Sequence, residues 1–310
     1  MTTGAMGQPK TRAGVLRPVT KRRLREAVIA YLFLLPNLIS FLVFSAGAIV
    51  AVLGLGLVKW NLLSPPRYVG LANYGTMLTD PRFWASFKAT LVYAGISMPL
   101  QLVVAVLAGL LMNQSIRGMR TVRLALLIPW FCMPVGLGLM WQWLLNSEFG
   151  FVNLVLKSIN LPTPVWLGLK LALPSMALIG VWHYSGWNGT LILAGLQGIP
   201  ANLYDAASVD GAGAWQRFQY VTLPLLSPVL FFILIVGSIS CLQTFDMVYV
   251  MTGGGPGTAT YVISLYVYEA AFRFSKMGYA AALATLLFAV TMVLTVIQMR
   301  GFGARVEYGE

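Results

Sequence analysis

The chain of 310 residues is 58% apolar and 10% charged, with a mean hydropathy of +0.77 and a net charge of +12. So few polar residues cannot wrap a soluble globule of this size. A lone histidine (His183), two cysteines far apart (Cys132 and Cys241) and the lack of a Gly-x-x-x-x-Gly-Lys-Ser/Thr loop leave too few ligands for a zinc site and no phosphate loop. An intramembrane enzyme has correspondingly little material, and no basic-aromatic module points to nucleic acid.

The pattern predicts an all-α polytopic membrane protein. Crossing roughly 30 Å of hydrocarbon takes about 20 apolar residues, and six segments are long enough: Ile29–Val58, Phe87–Met112, Arg123–Leu145, Leu171–Leu196, Ser227–Val250 and Tyr279–Met299. A bilayer offers no water to free N–H and C=O groups, so these must be helices. Residues 1–28 form a basic tail, expected to be disordered until the membrane surface organises it. The apolar run behind it is too long for a signal-peptide core, and Ser45-Ala46-Gly47-Ala48 lies too deep for cleavage, so the first span reads as an uncleaved anchor. The six-span body covers 29–300, and 301–310 form a second tail.

Six spans put both ends on one side. Candidate inner segments carry Lys10, Arg12, Arg17, Lys21, Arg22, Arg23, Arg25, Arg117, Arg120, Arg123, Arg217, Arg300 and Arg305; outer ones carry Lys59, Arg67, Arg82, Lys88, Lys157, Lys170, Arg273 and Lys276. That bias predicts cytoplasmic termini, and the positive charge reads as topology and anionic-lipid contact. Asn188-Gly189-Thr190 matches a glycosylation acceptor, but lies inside the fourth span. Trp141, Gln142 and Trp143 are expected as interfacial anchors.

Between the fourth and fifth spans lies a polar interlude, 200–224. Pro200 suits a first helical turn, and Asp205 near that end complements the dipole. Gly211 and Gly213 end the helix; a second runs from Ala214 until Pro224 stops it. Leu203, Ala206, Ala207 and Gly211 share a narrow small-residue face that another protein's cleft can approach closely.

Beyond the fifth span, Gly253 to Gly257 with Pro256 make a tight exit. Tyr261 to Phe274, interrupted by Glu269 and Arg273, is too short to cross and is expected as an interfacial helix along the outer face, either receiving an external protein or sealing the bundle. At bilayer depth, Gly180, His183, Tyr184 and Trp187 recur at helical spacing in the fourth span. Gly237, Cys241, Thr244 and Val248 do so in the fifth, with Gln243 and Asp246 beside them. Aromatic rings suit the apolar faces of a sugar, and polar side chains its hydroxyls. Each also has a plainer use: His183 as a donor to a backbone carbonyl, Tyr184 and Trp187 in packing, and Asp246 in a structural role near the outer end.

The interlude resembles the cytoplasmic coupling motif of binding-protein-dependent ABC importer permeases. That motif begins Glu-Ala-Ala, carries a later Gly and closes Leu-Pro; here stand Asp205-Ala206-Ala207, Asp210-Gly211-Ala212, Arg217-Phe218 and Leu223-Pro224. Asp205 replaces the usual Glu, one methylene shorter. Arg123, Pro129, Trp141, Trp143, Gly150 and Asn153 are similar to the carbohydrate-uptake branch, as are Ala194-Gly195-Leu196-Gln197 and Ile199-Pro200. Phe245-Asp246, Thr252-Gly253-Gly254-Gly255-Pro256, Thr260, Tyr268 and Ala271-Phe272 resemble its maltose-permease-like half.

The resemblance implies the type I ABC importer permease fold, with a cytoplasmic coupling helix, in a bacterial cytoplasmic membrane. It implies a second homologous permease subunit, two ATP-binding cassette ATPase subunits that hold ATP and Mg, an extracytoplasmic solute-binding protein and surrounding lipid. No cofactor and no bond chemistry fall to this chain. The expected substrate is a sugar or sugar-like solute, with Gly180, His183, Tyr184, Trp187, Cys241, Gln243, Thr244 and Asp246 as its pathway; glycerol phosphate or another polar solute is the alternative, and a passive channel a further one.

Overall fold

The computed structural model describes residues 21–301; the tail readings for 1–20 and 302–310 lie outside the described residues. Helix α1 (Lys21–Ser40) passes through a π-helical turn (Phe41–Ala46) into α2 (Gly47–Leu55). Residues 21–28, expected as part of a tail, are therefore helical. The chain divides into two compact units, 1–51 and 52–310, and the remaining elements all belong to the second.

A two-residue ladder pairs β1 (Val58–Lys59) with β2 (Arg67–Tyr68), antiparallel. Then come α3 (Ala72–Thr79), α4 (Pro81–Met112), α5 (Met119–Phe131), α6 (Pro134–Leu144), α7 (Phe151–Ser158) and α8 (Ala172–Gln197). The interlude holds α9 (Ala201–Val209) and α10 (Ala214–Arg217), followed by a π-helical turn (Phe218–Thr222), α11 (Leu223–Leu225), α12 (Ser227–Leu242) and α13 (Asp246–Met251). Last come α14 (Ile263–Tyr268), a π-helical turn (Glu269–Arg273) and α15 (Met277–Gly301).

Among the described residues, four helical stretches are long and apolar enough to cross a membrane: Val28–Leu55, Pro81–Met112, Ser227–Met251 and Met277–Gly301. The third expected span differs from a single rod. It is α5 and α6 with a bend of 100° between them. Pro134 disfavours helical backbone at the residue before it, and Cys132 and Met133 are extended, with ψ of 139° and 132°. Helix α8, at 26 residues, is about 39 Å long. It carries the buried polar residues Ser175, His183, Ser185 and Asn188, which make it less apolar than the four stretches above.

Small residues set how closely the helices approach. A Cβ on Gly186 would lie 2.0 Å from the Leu126 carbonyl oxygen of α5, and one on Gly109 of α4 would lie 2.4 Å from Ile192 Cγ2 of α8. With little hydrophobic drive between helices in lipid, such backbone proximity is a main source of packing energy. Helices α4 and α8 run in the same direction, since Tyr93 meets Gly180 and Ala108 meets Gly189. Helix α12 starts beside Gly195, and Gln298 near the end of α15 donates to Ser238 at 2.8 Å. The α9 end of the bundle thus gathers the close of α4, α8 and α15 and the start of α12.

At the opposite end a carboxylate joins three segments. Asp80 caps α4 by accepting from the Arg82 N–H at 2.9 Å, and its other oxygen accepts the hydroxyls of Tyr279, at 2.7 Å, and of Tyr266. Burial opposes the charged form of Asp80, yet those donors and the Arg82 charge together hold the carboxyl below its ordinary range. The same burial and the neighbouring carboxylate push the Tyr266 phenol up to about 12. The Ile263 N–H donates to Thr90 at 2.9 Å, and buried Glu269 accepts from Tyr261 at 2.5 Å and Arg273 at 2.6 Å. Helix α14 is therefore not a surface helix: Val262, Ile263, Leu265 and Ala270 are at most 1% exposed. Glu269, expected to keep this stretch at the surface, is instead satisfied inside the protein, and only Phe272, Arg273 and Phe274 remain exposed.

Two stability outcomes follow from these contacts. Asp80→Ala leaves two buried phenols without their acceptor and should cost about 3 kcal/mol, read as a lower unfolding temperature in nanodiscs, with Asp80→Asn falling between. Gly186→Val should lower the yield of folded protein, whereas Gly95→Ala, where an added Cβ meets nothing within 4 Å, should leave it unchanged; detergent size-exclusion profiles report both.

Candidate functional site

Two hydrophobic cores flank a polar layer. One, at the Asp80 end, holds Met77, Phe83, Met176, Val248, Leu265 and Leu283; the other, at the α9 end, holds Met98, Ala105, Ile192, Leu196, Leu226 and Ile233. Between them lies a cavity of about 250 Å³, with walls from α4 (Tyr93, Gln101), α8 (Gly180, His183, Tyr184) and the stretch from Ser240 to Met247. Pro134, first residue of α6, closes one side.

The cavity sits where two helices are broken. The fifth expected span parts at Gln243, Thr244 and Phe245, Phe245 having φ −143° and ψ −60°, before α13 resumes at Asp246. The third parts at Cys132 and Met133. Interrupted helices at bilayer depth are tolerated only where protein or a water-lined space satisfies the freed backbone groups. Part of that satisfaction is visible. His183 donates from Nδ1 to the Pro129 carbonyl, 2.8 Å away near the end of α5, and Gln142 of α6 donates to the Met251 carbonyl at 3.0 Å.

Of the residues expected along the pathway, Gly180, His183, Tyr184, Cys241, Gln243, Thr244 and Asp246 all line this cavity. Trp187 does not. It stacks on Trp130, with centroids 5.0 Å apart and planes at 13°, one turn beyond the cavity wall. Gly180 is small for a packing reason as well, since a Cβ there would lie 2.8 Å from the Tyr93 hydroxyl. Sequence reading missed Tyr93 and Gln101, although Tyr93, Ser97 and Gln101 recur every four residues in an apolar helix and polar groups at that depth call for an explanation. Trp141 and Gln142, expected as anchors, pack inward: Trp141 meets Trp182 edge-on at 5.5 Å, and only Trp143 is largely exposed, at 70%.

A larger concavity of about 1,090 Å³ lies between α4 and the stretch from α10 to α12. Apart from Ser227 its lining is apolar, with Leu102, Val106, Trp215, Phe218 and Leu230 among the walls, so it offers a polar solute no recognition.

The interlude forms the predicted two helices with different details. Pro200 is extended, with ψ 132°, and stands just outside α9. Asp205 is the fifth residue of that helix, too far from its start to serve the dipole. The end of α9 is a Schellman turn: Gly211 has φ +78°, its N–H donates to the Ser208 carbonyl at 3.1 Å, and the Ala212 N–H donates to Ala207 at 2.9 Å. Gly213 caps α10, its N–H donating to Gln216 at 2.8 Å. Pro224 does not stop this helix. The π-helical turn before it shifts the hydrogen-bond register, with Leu223 N–H donating to Phe218, so the chain runs from α10 into α12 with helical backbone throughout.

Tyr204 bonds Thr222 at 3.0 Å and Arg217 donates to Ser208 at 3.1 Å, pinning α9 onto this second helix. On the other side Leu203, Asp205, Ala206, Val209 and Asp210 are exposed, Val209 at 88%. Ala207, Ala212, Arg217 and Phe218 are half-buried, and Leu223 is 38% exposed. Val209 thus stands open between the carboxylates of Asp205 and Asp210.

Residues 90–308 match the family described as binding-protein-dependent transport system inner membrane component. The chain is 39% identical over 238 residues to the sulfoquinovosyl glycerol transport system permease protein of Agrobacterium fabrum, covering 76% of this chain and 77% of that protein. It is 33% identical over 283 residues to the trehalose/maltose transport system permease protein of Thermococcus litoralis, covering 91% and 96%. A chain of a bacterial alginate ABC transporter, solved in complex with an alginate pentasaccharide-bound periplasmic protein, superposes with a TM-score of 0.81 at 22% identity, over 91% of this chain and 96% of that one; this likeness bears on the fold. The chain belongs to the binding-protein-dependent inner membrane component family, as a multi-pass permease subunit of an ABC importer.

Proposed function

We propose that this subunit forms one wall of the path of a sugar or sugar-like solute, with its cavity as that wall and α9 as the contact for an ATP-hydrolysing partner. The observation that carries the reading is the continuous helical backbone from α10 to α12, which ends at the cavity where Gln243 and Thr244 interrupt it. A push on α9 reaches the polar layer through one rigid element.

The cavity chemistry supports a neutral, hydroxyl-rich solute. Gln101, Gln243 and Thr244 supply donors and acceptors, Tyr93 and Phe245 supply rings, and no Arg or Lys lines it, which disfavours a phosphorylated ligand. Its volume falls below the roughly 300–1,000 Å³ usual for ligand pockets, so a second permease subunit would complete it. The names of the two relatives support a glycosidic solute, one concerning the sulfonated sulfoquinovosyl glycerol and the other neutral trehalose or maltose; the lack of a lining cation favours the neutral kind.

Charge supports the orientation. Arg117, Arg120 and Arg123 follow α4, Arg217 ends α10 and Arg300 lies in the last turn of α15, all at the α9 end; Arg123 also donates to the Met112 carbonyl at 3.0 Å. Such clustering fits a cytoplasmic α9 end and cytoplasmic termini. In the cycle, a loaded solute-binding protein docks at the Asp80 end while two ATPase subunits close on ATP. The Asp205-Ala206-Ala207 face then moves, the spans rock, and hydrolysis returns the cavity to the cytoplasmic side. Each partner biases a two-state bundle; this chain transfers force and makes or breaks no bond.

In proteoliposomes with all subunits, Gly211→Asp should cut uptake at least tenfold while ATP hydrolysis continues, because it puts a side chain on a +78° backbone and adds a third carboxylate beside exposed Asp205 and Asp210; unchanged uptake with normal assembly would refute coupling through this turn. Val209→Cys should crosslink to the ATPase subunit. Gln243→Ala should raise the KM for sugar uptake about tenfold, the loss of one solute hydrogen bond, as measured with radiolabelled trehalose, maltose or sulfoquinovosyl glycerol, whichever is taken up.

A further inference from the structure

Four aromatic rings lead out of the cavity in a connected series. Phe245, itself part of the cavity wall, stacks on Tyr249 with centroids 5.4 Å apart and planes at 21°, and meets Tyr268 at 5.3 Å. Tyr249 and Tyr268 meet edge-on at 5.4 Å, and Tyr268 meets Phe272 at 5.4 Å. The series joins α13 to the close of α14 and its π-helical turn, and ends on the exposed surface at the Asp80 end. Tyr249 is 40% and Phe272 is 65% exposed.

Exposed aromatics on a membrane protein ordinarily read as an interfacial belt. Two observations separate these from a belt. Asp246 and Gln243 are exposed on the same stretch, and Asp246 shares a helical face with Tyr249 three residues on. A carboxylate at that depth is too costly to turn to lipid, so the face that bears the rings borders water. The rings are also mutually packed rather than scattered, which fixes a continuous apolar strip beside the polar groups Gln243, Thr244 and Asp246.

We infer that Phe245, Tyr249, Tyr268 and Phe272 form a stacking track along which the pyranose ring of a sugar passes from the Asp80 end into the cavity. The C–H face of a pyranose packs on an aromatic face, while the edge of the ring keeps its hydroxyls towards water, the two tyrosine hydroxyls and the Asp246 carboxylate. Overlapping contacts of similar strength let the solute move stepwise without a deep trap. The inference rests on the sugar reading above.

The complete importer with its binding protein, reconstituted in liposomes, is first offered trehalose, maltose and sulfoquinovosyl glycerol. With whichever sugar enters, Tyr249→Ala and Phe272→Ala should each raise KM five- to tenfold with kcat changed less than twofold, and Phe272→Tyr and Tyr249→Trp should restore it. Phe151→Ala, at an exposed ring outside the series, should leave KM unchanged. Phe272→Leu separates stacking from packing: KM as poor as in Phe272→Ala supports the track, whereas rescue by leucine overturns it. Unchanged KM in the alanine variants overturns the track while leaving the sugar reading intact. Loss of the second permease subunit from purified Tyr249→Ala complexes overturns it too, by showing the rings to be a subunit seam. If none of the three sugars enters although ATP hydrolysis responds to the binding protein, the sugar reading fails and the track fails with it.

Discussion

Every backbone N–H and C=O at bilayer depth must find a partner inside the protein or in a water-lined space, and the layout of this molecule follows from how it meets that demand at two helix breaks. The bend between α5 and α6 leaves the end of α5 short of donors, and His183 reaches across from α8 to the Pro129 carbonyl. Gln142 does the same for Met251 at the close of α13. His183 can reach Pro129 only because α5 and α8 touch backbone to side-chain-free backbone at Gly186. Glycine, proline and histidine on separate helices thus form one arrangement, and the polar cavity is the space that this arrangement opens between two dry cores.

Much of this was legible in the residues. Composition fixed the class, and the order of apolar runs located the helices because length and hydropathy act without tertiary context. Seven of the eight expected pathway residues line one cavity: Gly180, His183 and Tyr184 by the i, i+3, i+4 periodicity of α8, and Cys241, Gln243, Thr244 and Asp246 because the break in the fifth span falls at the cavity. Trp187 continues that periodicity past the cavity, and what excludes it is a stacking partner, Trp130, from a helix whose crossing could not be read from the sequence. The burial of α14 was hidden for the same reason. Glu269 and Arg273 look like surface residues until Tyr261 is seen to donate to the carboxylate. Pro224 misled differently: proline ends an α-helix by local rule, but the preceding π-helical turn absorbed the missing donor and kept the axis going.

The continuity through Pro224 joins the interlude to the broken span. Tyr204 to Thr222 and Arg217 to Ser208 bind α9 to the base of a rod that runs up to Leu242, and the interruption comes only at the cavity. A rigid lower segment with a break at its top concentrates any displacement of the base at the cavity, as hinge motions concentrate dihedral change in a few residues. The Schellman turn at Gly211 has the matching role at the base, setting the angle between α9 and the rod without bulk.

The Asp80 hub carries an implication for recombining such proteins. Its three donors come from the start of α4, from α14 and from the start of α15, separated along the chain by 186 and 199 positions for the two tyrosines. A graft that exchanges the glycine loop and α14 between homologous subunits therefore imports Tyr266 without its distant carboxylate unless the recipient already has it. The modular unit at this end is a set of three sequence-remote positions, and chimaeras drawn along contiguous segments would divide it.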